Sequence, residues 1–143
     1  MVAVDHHGPA DDLRADAPVY LVTGRVLQHY QSGAQTRRVP ALAAAQPDPY
    51  VELHPLLADR IDVEDGALVE VTSARGTAVV VAHVTARTRQ DVVFMPFHWS
   101  GSGSANRLTT DATDPISGMP EFKVCAVDVR RAAPDGQVVR RCT

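Results

Sequence analysis

The sequence predicts a mainly β domain, an all-β barrel or sandwich with small helices attached, and three features carry that expectation. Six short runs are rich in β-branched residues and bounded by turn signals. Only one segment has a firm helix signal. The chain has 143 residues, enough for one domain with a sizeable core and too few for two. Apolar residues make up 45% and charged residues 22%, the balance of an ordinary globular domain.

The first predicted strand, residues 19–23, is short and apolar, and residues 50–53 form another short one. Residues 67–72 follow the turn signature Glu64-Asp65-Gly66 and are separated from residues 77–85 by Ala74-Arg75-Gly76, so the pair predicts a hairpin. Residues 92–97 carry Pro96 near their end, which suits a strand end or edge. Residues 122–129 complete the set. His54-Pro55 places proline near a first helical position, and Leu56, Leu57 and Ile61 supply an apolar face behind it. Residues 41–45 hold a second short helix candidate. Two segments, 24–49 and the 24-residue stretch 98–121, have little strand pattern and are longer than such a fold requires. Irregular segments of that length inside a compact domain are usually functional or disordered.

Charge and cysteine usage narrow the partners. The net charge is −3, against a strongly basic nucleic-acid surface. Thirteen of the 14 cations are arginine, and Lys123 is the only lysine. Two cysteines, Cys125 and Cys142, build neither a disulfide scaffold nor a four-thiolate metal site, so a reducing, cytoplasmic compartment is expected. No run approaches 18 apolar residues, so no membrane span is expected. Residues 1–17 carry Asp5, Asp11, Asp12 and Asp16 without an apolar core, which excludes a secretory signal and reads as a flexible lead-in or inter-domain linker.

Familiar catalytic motifs are absent. There is no HExxH, Walker loop or GxSxG elbow. Gly101-Ser-Gly103-Ser-Ala-Asn106 starts like a dinucleotide fingerprint but ends in asparagine, with no βαβ unit around it. His83 interrupts a valine strand and is expected to face outward. His29 and His98, beside the long segments, are the two histidines with a possible functional role. Asp111 and Asp114 sit among threonines, where Asx-turn chemistry is the simpler account. On these grounds the chain is an all-β domain with two long polar loops able to hold a ligand.

Two stretches say more. One is Thr23-Gly-Arg-Val-Leu-Gln-His-Tyr-Gln-Ser-Gly-Ala-Gln-Thr-Arg-Arg38. The other is Phe94-Met-Pro-Phe-His-Trp99, continued by Asn106-Arg-Leu-Thr-Thr-Asp-Ala-Thr-Asp-Pro-Ile-Ser117 and Pro120-Glu-Phe-Lys-Val-Cys-Ala-Val127. In order and spacing they resemble the C-terminal molybdopterin-dinucleotide-binding domain of prokaryotic molybdenum oxidoreductases, in the nitrate reductase and formate dehydrogenase branch. The resemblance spans about residues 19–129. It implies a six-stranded double-psi β-barrel with short helices and two long loops over residues 18–131, a linker over 1–17 and a tail over 132–143. It also implies that the loops wrap a bis(molybdopterin guanine dinucleotide) cofactor.

The resemblance makes Thr23, Gly24, Arg25, Val26, Leu27, His29, Tyr30 and Ser32 the first cofactor-contacting run, with Thr36 as a further hydroxyl. Gly24 permits close backbone approach, and the planar fork of Arg25 suits a pyrophosphate. The rings and polar tips of His29 and Tyr30 suit a pterin. Asn106 matches a position whose amide contacts the cofactor. Lys123 follows Phe122 as in the family. Strand alternation sets Lys123 on the face of Cys125, Val127 and Val129, where a cofactor anion would balance its charge. Phe97 matches a position near the substrate funnel, and a core aromatic is the competing account. Cys125 reads as a small buried residue and Cys142 as exposed.

Nothing here matches the family's protein ligand to molybdenum or its iron–sulfur cysteine motif. The resemblance therefore implies one lobe of a larger enzyme, not catalytic alone, whose partners are the remaining iron–sulfur and metal-ligand domains. Met1 would then start an excised piece or a shortened reading frame. The implied whole enzyme is an assimilatory-type nitrate reductase, reducing nitrate to nitrite, with a formate dehydrogenase as the alternative. A free-standing double-psi barrel acting as a binding module is the alternative of another class.

Overall fold

Alternation along each strand decides which side chains fill the interior. In the computed structural model, which describes residues 6–133, six strands form: β1 Val19–Gly24, β2 Tyr50–Leu53, β3 Leu68–Ser73, β4 Gly76–Val84, β5 Val92–Pro96 and β6 Val124–Arg131. Val19, Leu21, Val51, Leu53, Val69, Val71, Val80, Val93, Met95, Val127 and Val129 point inward at every second position and are buried. Small residues interleave with them: Cys125 lies opposite Leu21 across the β1–β6 ladder, and Ala78 lies opposite Val71 across β3–β4. The interior is thus filled by side chains.

The strands close into a barrel in the order β1-β5-β2-β4-β3-β6. β1 runs parallel to β5 and β2 parallel to β4, while the other neighbours are antiparallel. Exchanging the first three strands with the last three leaves this neighbour list unchanged, so the barrel has a pseudo-two-fold arrangement. β5 lies between the consecutive pair β1 and β2, and β2 lies between β4 and β5. These two interlocked loops make it a double-psi barrel.

Direction follows from pairing. β1, β3 and β5 end at one rim, where β2, β4 and β6 begin. Both long segments, after β1 and after β5, therefore emerge at that rim, beside the β3–β4 turn. The opposite rim carries α2, Pro55–Arg60, with Pro55 at its first turn and His54 Nδ1 accepting from Leu56 N–H at 3.1 Å. Leu57 and Ala58 of α2 are buried in the core. Helix α1, Pro40–Ala45, lies in the first long segment and buries no residue fully.

Two expectations need correction. β6 begins at Val124 rather than at residue 122, because Thr23 binds the chain before it. Thr23 N–H donates to Lys123 O at 2.9 Å and its hydroxyl to Phe122 O at 2.7 Å. Lys123 is bent and exposed, off the inward face that Cys125 begins. The lead-in, expected to be flexible, is docked from Ala10 onward. Asp11 is buried, accepting from Arg14 at 2.6 Å, Arg75 at 2.5 Å and Ala126 N–H at 3.1 Å. At Ala126, β6 is paired with Tyr20 of β1 but has not yet met β3, which it joins at Asp128, and the Asp11 carboxylate accepts from the Ala126 amide there. Cys125 is buried as expected, and burial raises its thiol pKa. Cys142 and most of the tail lie outside the described residues.

Candidate functional site

At the loop-bearing rim two cations share one ring. Phe97 follows β5, donates its backbone N–H to Gly24 O at 3.2 Å, and is half-buried against the core. The Arg25 guanidinium carbon lies 5.8 Å from the Phe97 centroid and Lys123 Nζ lies 5.3 Å from it. Lys123 Nζ also sits 4.9 Å from the Phe122 ring, which meets Phe97 edge-on at 6.4 Å. Cation–π contact orients both charges without neutralising them. Among the described residues neither Arg25 nor Lys123 has an acidic partner, and both are exposed. Burial is thus not what holds Lys123 at this site, as alternation had implied; two aromatic faces do.

Arg37 is tied to the same segment. Its guanidinium donates to the His98 carbonyl. His98 is fully buried: Nε2 accepts from Val26 N–H at 2.9 Å, and Nδ1 donates to Gln31 O at 2.5 Å. Burial lowers the pKa of His98, with the nearby charges of His29, Arg25 and Arg37 acting the same way and the Gln31 bond acting against them. Because Nε2 accepts from Val26 N–H, this arrangement takes the neutral ring.

The run 23–32 divides into structural and exposed members. Thr23 is buried, with its hydroxyl engaged by Phe122 O. Gly24 is required by packing: a Cβ there would stand 2.4 Å from the Phe94 ring. Val26 is held by its amide. His29 does not offer polar tips to a ligand. It is buried, with Nδ1 at 3.0 Å from Thr36 Oγ1 and Nε2 at 2.8 Å from Gln46 O, so that Thr36 is also engaged. Leu27, Tyr30 and Ser32 are exposed, as is Arg25.

Asn106 stands at the same rim on the β3–β4 side. Its 3-10 turn, Ala105–Arg107, is tied to β4 by Arg107 Nε donating to Thr77 O at 2.7 Å. Arg75 holds the next residue by donating to Leu108 O from Nε at 3.1 Å and Nη2 at 2.8 Å. The Asn106 side chain is exposed and makes no hydrogen bond among the described residues, and none joins it to Arg25 or Lys123. The structure thus brings Arg25, Phe97 and Lys123 together and sets Asn106 on a turn tied to β4, with no hydrogen bond to those three among the described residues. Two adjoining grooves of about 340 and 360 Å³ run along β4, lined by Pro49, Gly66 and Val81 among others and by none of these site residues.

Asp114 is an Asx turn: its Oδ1 accepts from Ile116 N–H at 3.0 Å, Ser117 N–H at 2.6 Å and the Ser117 hydroxyl at 2.9 Å, and these bonds lower its pKa. His83 is exposed on β4, 4.0 Å from Glu52. Arg37 and Asp11 were not singled out from sequence. The Arg37-Arg38 pair closing the first quoted stretch was the available signal for one. The other had none, because besides the nearby Arg14 its partners are Arg75 and Ala126, 64 and 115 residues away.

Fold and rim together define a double-psi barrel that presents, at one end, cations without an acidic partner and an amide without a hydrogen bond among the described residues. Among the described residues no three His, Cys, Asp or Glu side chains converge as a metal site, and no helix is long and apolar enough to cross a membrane. A family model described as "Molydopterin dinucleotide binding domain" matches residues 19–126, and the chain belongs to that family. It is 43% identical over 121 residues to the assimilatory nitrate reductase catalytic subunit of Bacillus subtilis, covering 85% of this chain and 17% of that protein. It is 39% identical over 129 residues to the F420-dependent formate dehydrogenase 1 subunit alpha of Methanococcus maripaludis, covering 90% of this chain and 19% of that one. The chain therefore spans less than a fifth of these curated relatives. Among solved structures, acetylene hydratase from Pelobacter acetylenicus superimposes with a TM-score of 0.74 at 19% identity, over 90% of this chain and 21% of that one, a likeness of fold.

Proposed function

We propose that this barrel is the cofactor-binding lobe of an assimilatory-type nitrate reductase, holding one side of a bis(molybdopterin guanine dinucleotide). The observation that carries this reading is the pair Arg25 and Lys123, fixed on Phe97 with no carboxylate partner among the described residues. Such a donor set fits a pyrophosphate-bearing ligand. Arg25 and Lys123 would hold phosphate or pterin oxygens, Asn106 an amide-complementary edge, and Leu27, Tyr30 and Ser32 the flanking surface. Thr23, Gly24, Val26 and His29 would support that surface from beneath, and Phe97 would sit beside the substrate path. When bound, the cofactor supplies the redox-active molybdenum; the chain's residues bind and orient it. Molybdenum ligation, the iron–sulfur cluster and catalysis belong to further domains, and the cysteine usage favours the cytoplasm. The 39% identity to a formate dehydrogenase subunit keeps that enzyme as the second reading.

Calorimetric titration with GDP, and with bis-dinucleotide cofactor extracted from a molybdenum enzyme, tests the lobe. Both are expected to bind, and Arg25→Ala or Lys123→Ala to weaken binding by about 1–3 kcal/mol. Equal affinity in the wild type and both variants would overturn these residue roles. Assay of the enzyme carrying this domain with nitrate and with formate decides between the two reactions.

A further inference from the structure

We infer that His98 is a positioning residue: its imidazole, as the Nδ1–H tautomer, holds residues 26–31 in the curve that presents Arg25, Leu27 and Tyr30 outward. It does so without touching a ligand. The inference rests on the ligand-binding reading of this rim, and its test separates the two.

The geometry is specific. One ring joins both ends of the loop, accepting from Val26 N–H and donating to Gln31 O. A neutral imidazole has one donor and one acceptor nitrogen, so only one tautomer serves both partners. The tie also holds a backbone position that costs energy: Gln31 has φ +48°, unusual for a residue with a Cβ, while Gly33 takes φ +71° freely. A Cβ on Gly33 would stand 2.8 Å from His98 O, the same carbonyl that Arg37 grips. The ring is walled in by His29 at 5.8 Å, Trp99 at 5.9 Å and Phe97 at 5.0 Å between centroids. His29 ties the loop to Gln46, and Trp99 Nε1 donates to Pro47 O at 3.2 Å. Four rings, His29, Phe97, His98 and Trp99, thus replace an apolar core beneath a segment that buries few apolar residues. His98 is the member that bonds the ligand-facing part.

Protonation would set an Nε2–H against Val26 N–H and open the loop. The charged and titratable groups facing the ring are Arg25, Arg37 and His29, with Lys123 beyond Phe97. An added positive charge here would by itself strengthen anion binding. The clamp predicts the reverse, so the sign discriminates.

The test uses the 143-residue chain labelled with ¹⁵N. At neutral pH the His98 ring is expected to show a protonated Nδ1 and a bare Nε2; the other tautomer, or the cation, overturns the proposal without any substitution. In His98→Phe, which keeps the ring and removes both bonds, Val26 amide exchange is expected to rise about tenfold or more and GDP affinity to fall about tenfold. Unchanged exchange and affinity in a folded variant overturn the proposal. If that variant does not fold, His98→Gln and His98→Asn serve. Gln can restore the acceptor for Val26, and Asn the donor for Gln31, so partial rescue is expected; equal damage from both overturns the proposal. The ratio of wild-type to variant affinity, which cancels titration of GDP itself, is expected to fall toward one at a pH low enough for the ¹⁵N shifts to show the His98 ring protonated; a ratio that stays constant or grows once the ring is protonated overturns the proposal. If the wild type binds neither GDP nor inorganic pyrophosphate while the variant loosens Val26, the clamp stands and the ligand reading fails.

Discussion

Two clusters of cations at one rim have opposite surroundings. Arg14 and Arg75 meet the buried carboxylate of Asp11, which also accepts from Ala126 N–H, and Arg75 extends to Leu108 O. Among the described residues Arg25 and Lys123 meet no carboxylate, only aromatic faces: both that of Phe97, and Lys123 that of Phe122 as well. Arginine is common in this chain, so its presence at a rim says little. What separates a structural arginine from a ligand-facing one is whether the protein supplies the counter-charge. The first cluster fastens the lead-in, the β3–β4 turn and the loop bearing Asn106 to the barrel. The second leaves its charge for something outside it.

That contrast breaks most readily at Asp11. Asp11→Ala removes the carboxylate, leaves Ala126 N–H unpaired and frees Arg75, which is partly exposed and can rehydrate. The expected loss is about 2–3 kcal/mol, read from the urea midpoint. A loss under half of that would mean that the lead-in is an ornament on the barrel. Gly24→Ala is expected to cost about 1–3 kcal/mol in stability, because the new methyl meets the Phe94 ring. Pairing it with Phe94→Leu should restore most of that loss. A variant of normal stability with weakened GDP binding would instead assign Gly24 to the ligand.

Acid separates the clusters by pH. The lowered pKa of His98 means that the unfolded chain binds its proton first. Stability contributed there is full above the unfolded value of about 6.5 and is lost as the pH falls below it. The Asp11 carboxyl is pushed up by burial, but bonds from Arg75, Arg14 and Ala126 outweigh that and leave its pKa lowered. Its contribution is full above about 3.9 and is lost only below that. Denaturation monitored against pH is expected to show a first decline near pH 6 that is missing from His98→Phe, and a second in strong acid that is missing from Asp11→Ala. The smallest effect belongs to the open cluster. Arg25→Ala and Lys123→Ala are expected to change folding stability by less than about 0.5 kcal/mol, since each loses only an exposed contact. A larger loss would mean that the ring contacts are structural.

Much of the barrel was legible because period-two patterns are local. The inward valines of β3 and β4, and the turn at Ala74-Arg75, follow from neighbours a few residues apart. The helix at Pro55 follows from one proline. The Lys123 placement failed because alternation assumes that the strand continues. Thr23, from another strand, grips the backbone at Phe122 and Lys123 and bends it first. The resemblance makes His29 a cofactor contact; only its partners Thr36 and Gln46 show that both ring nitrogens are engaged within the protein.

By itself the sequence determined the class of fold, the residues that fill the interior and the two motif-bearing stretches that mark the family, all consequences of short-range pattern. Only the tertiary structure decided that both stretches emerge at one rim, since that depends on the direction in which distant strands pair. It alone set His98 against Gln31 and Val26, 67 and 72 residues away, and Asp11 against Ala126, 115 residues away. Hydrogen bonds over such separations are fixed by barrel closure, and no local preference encodes them.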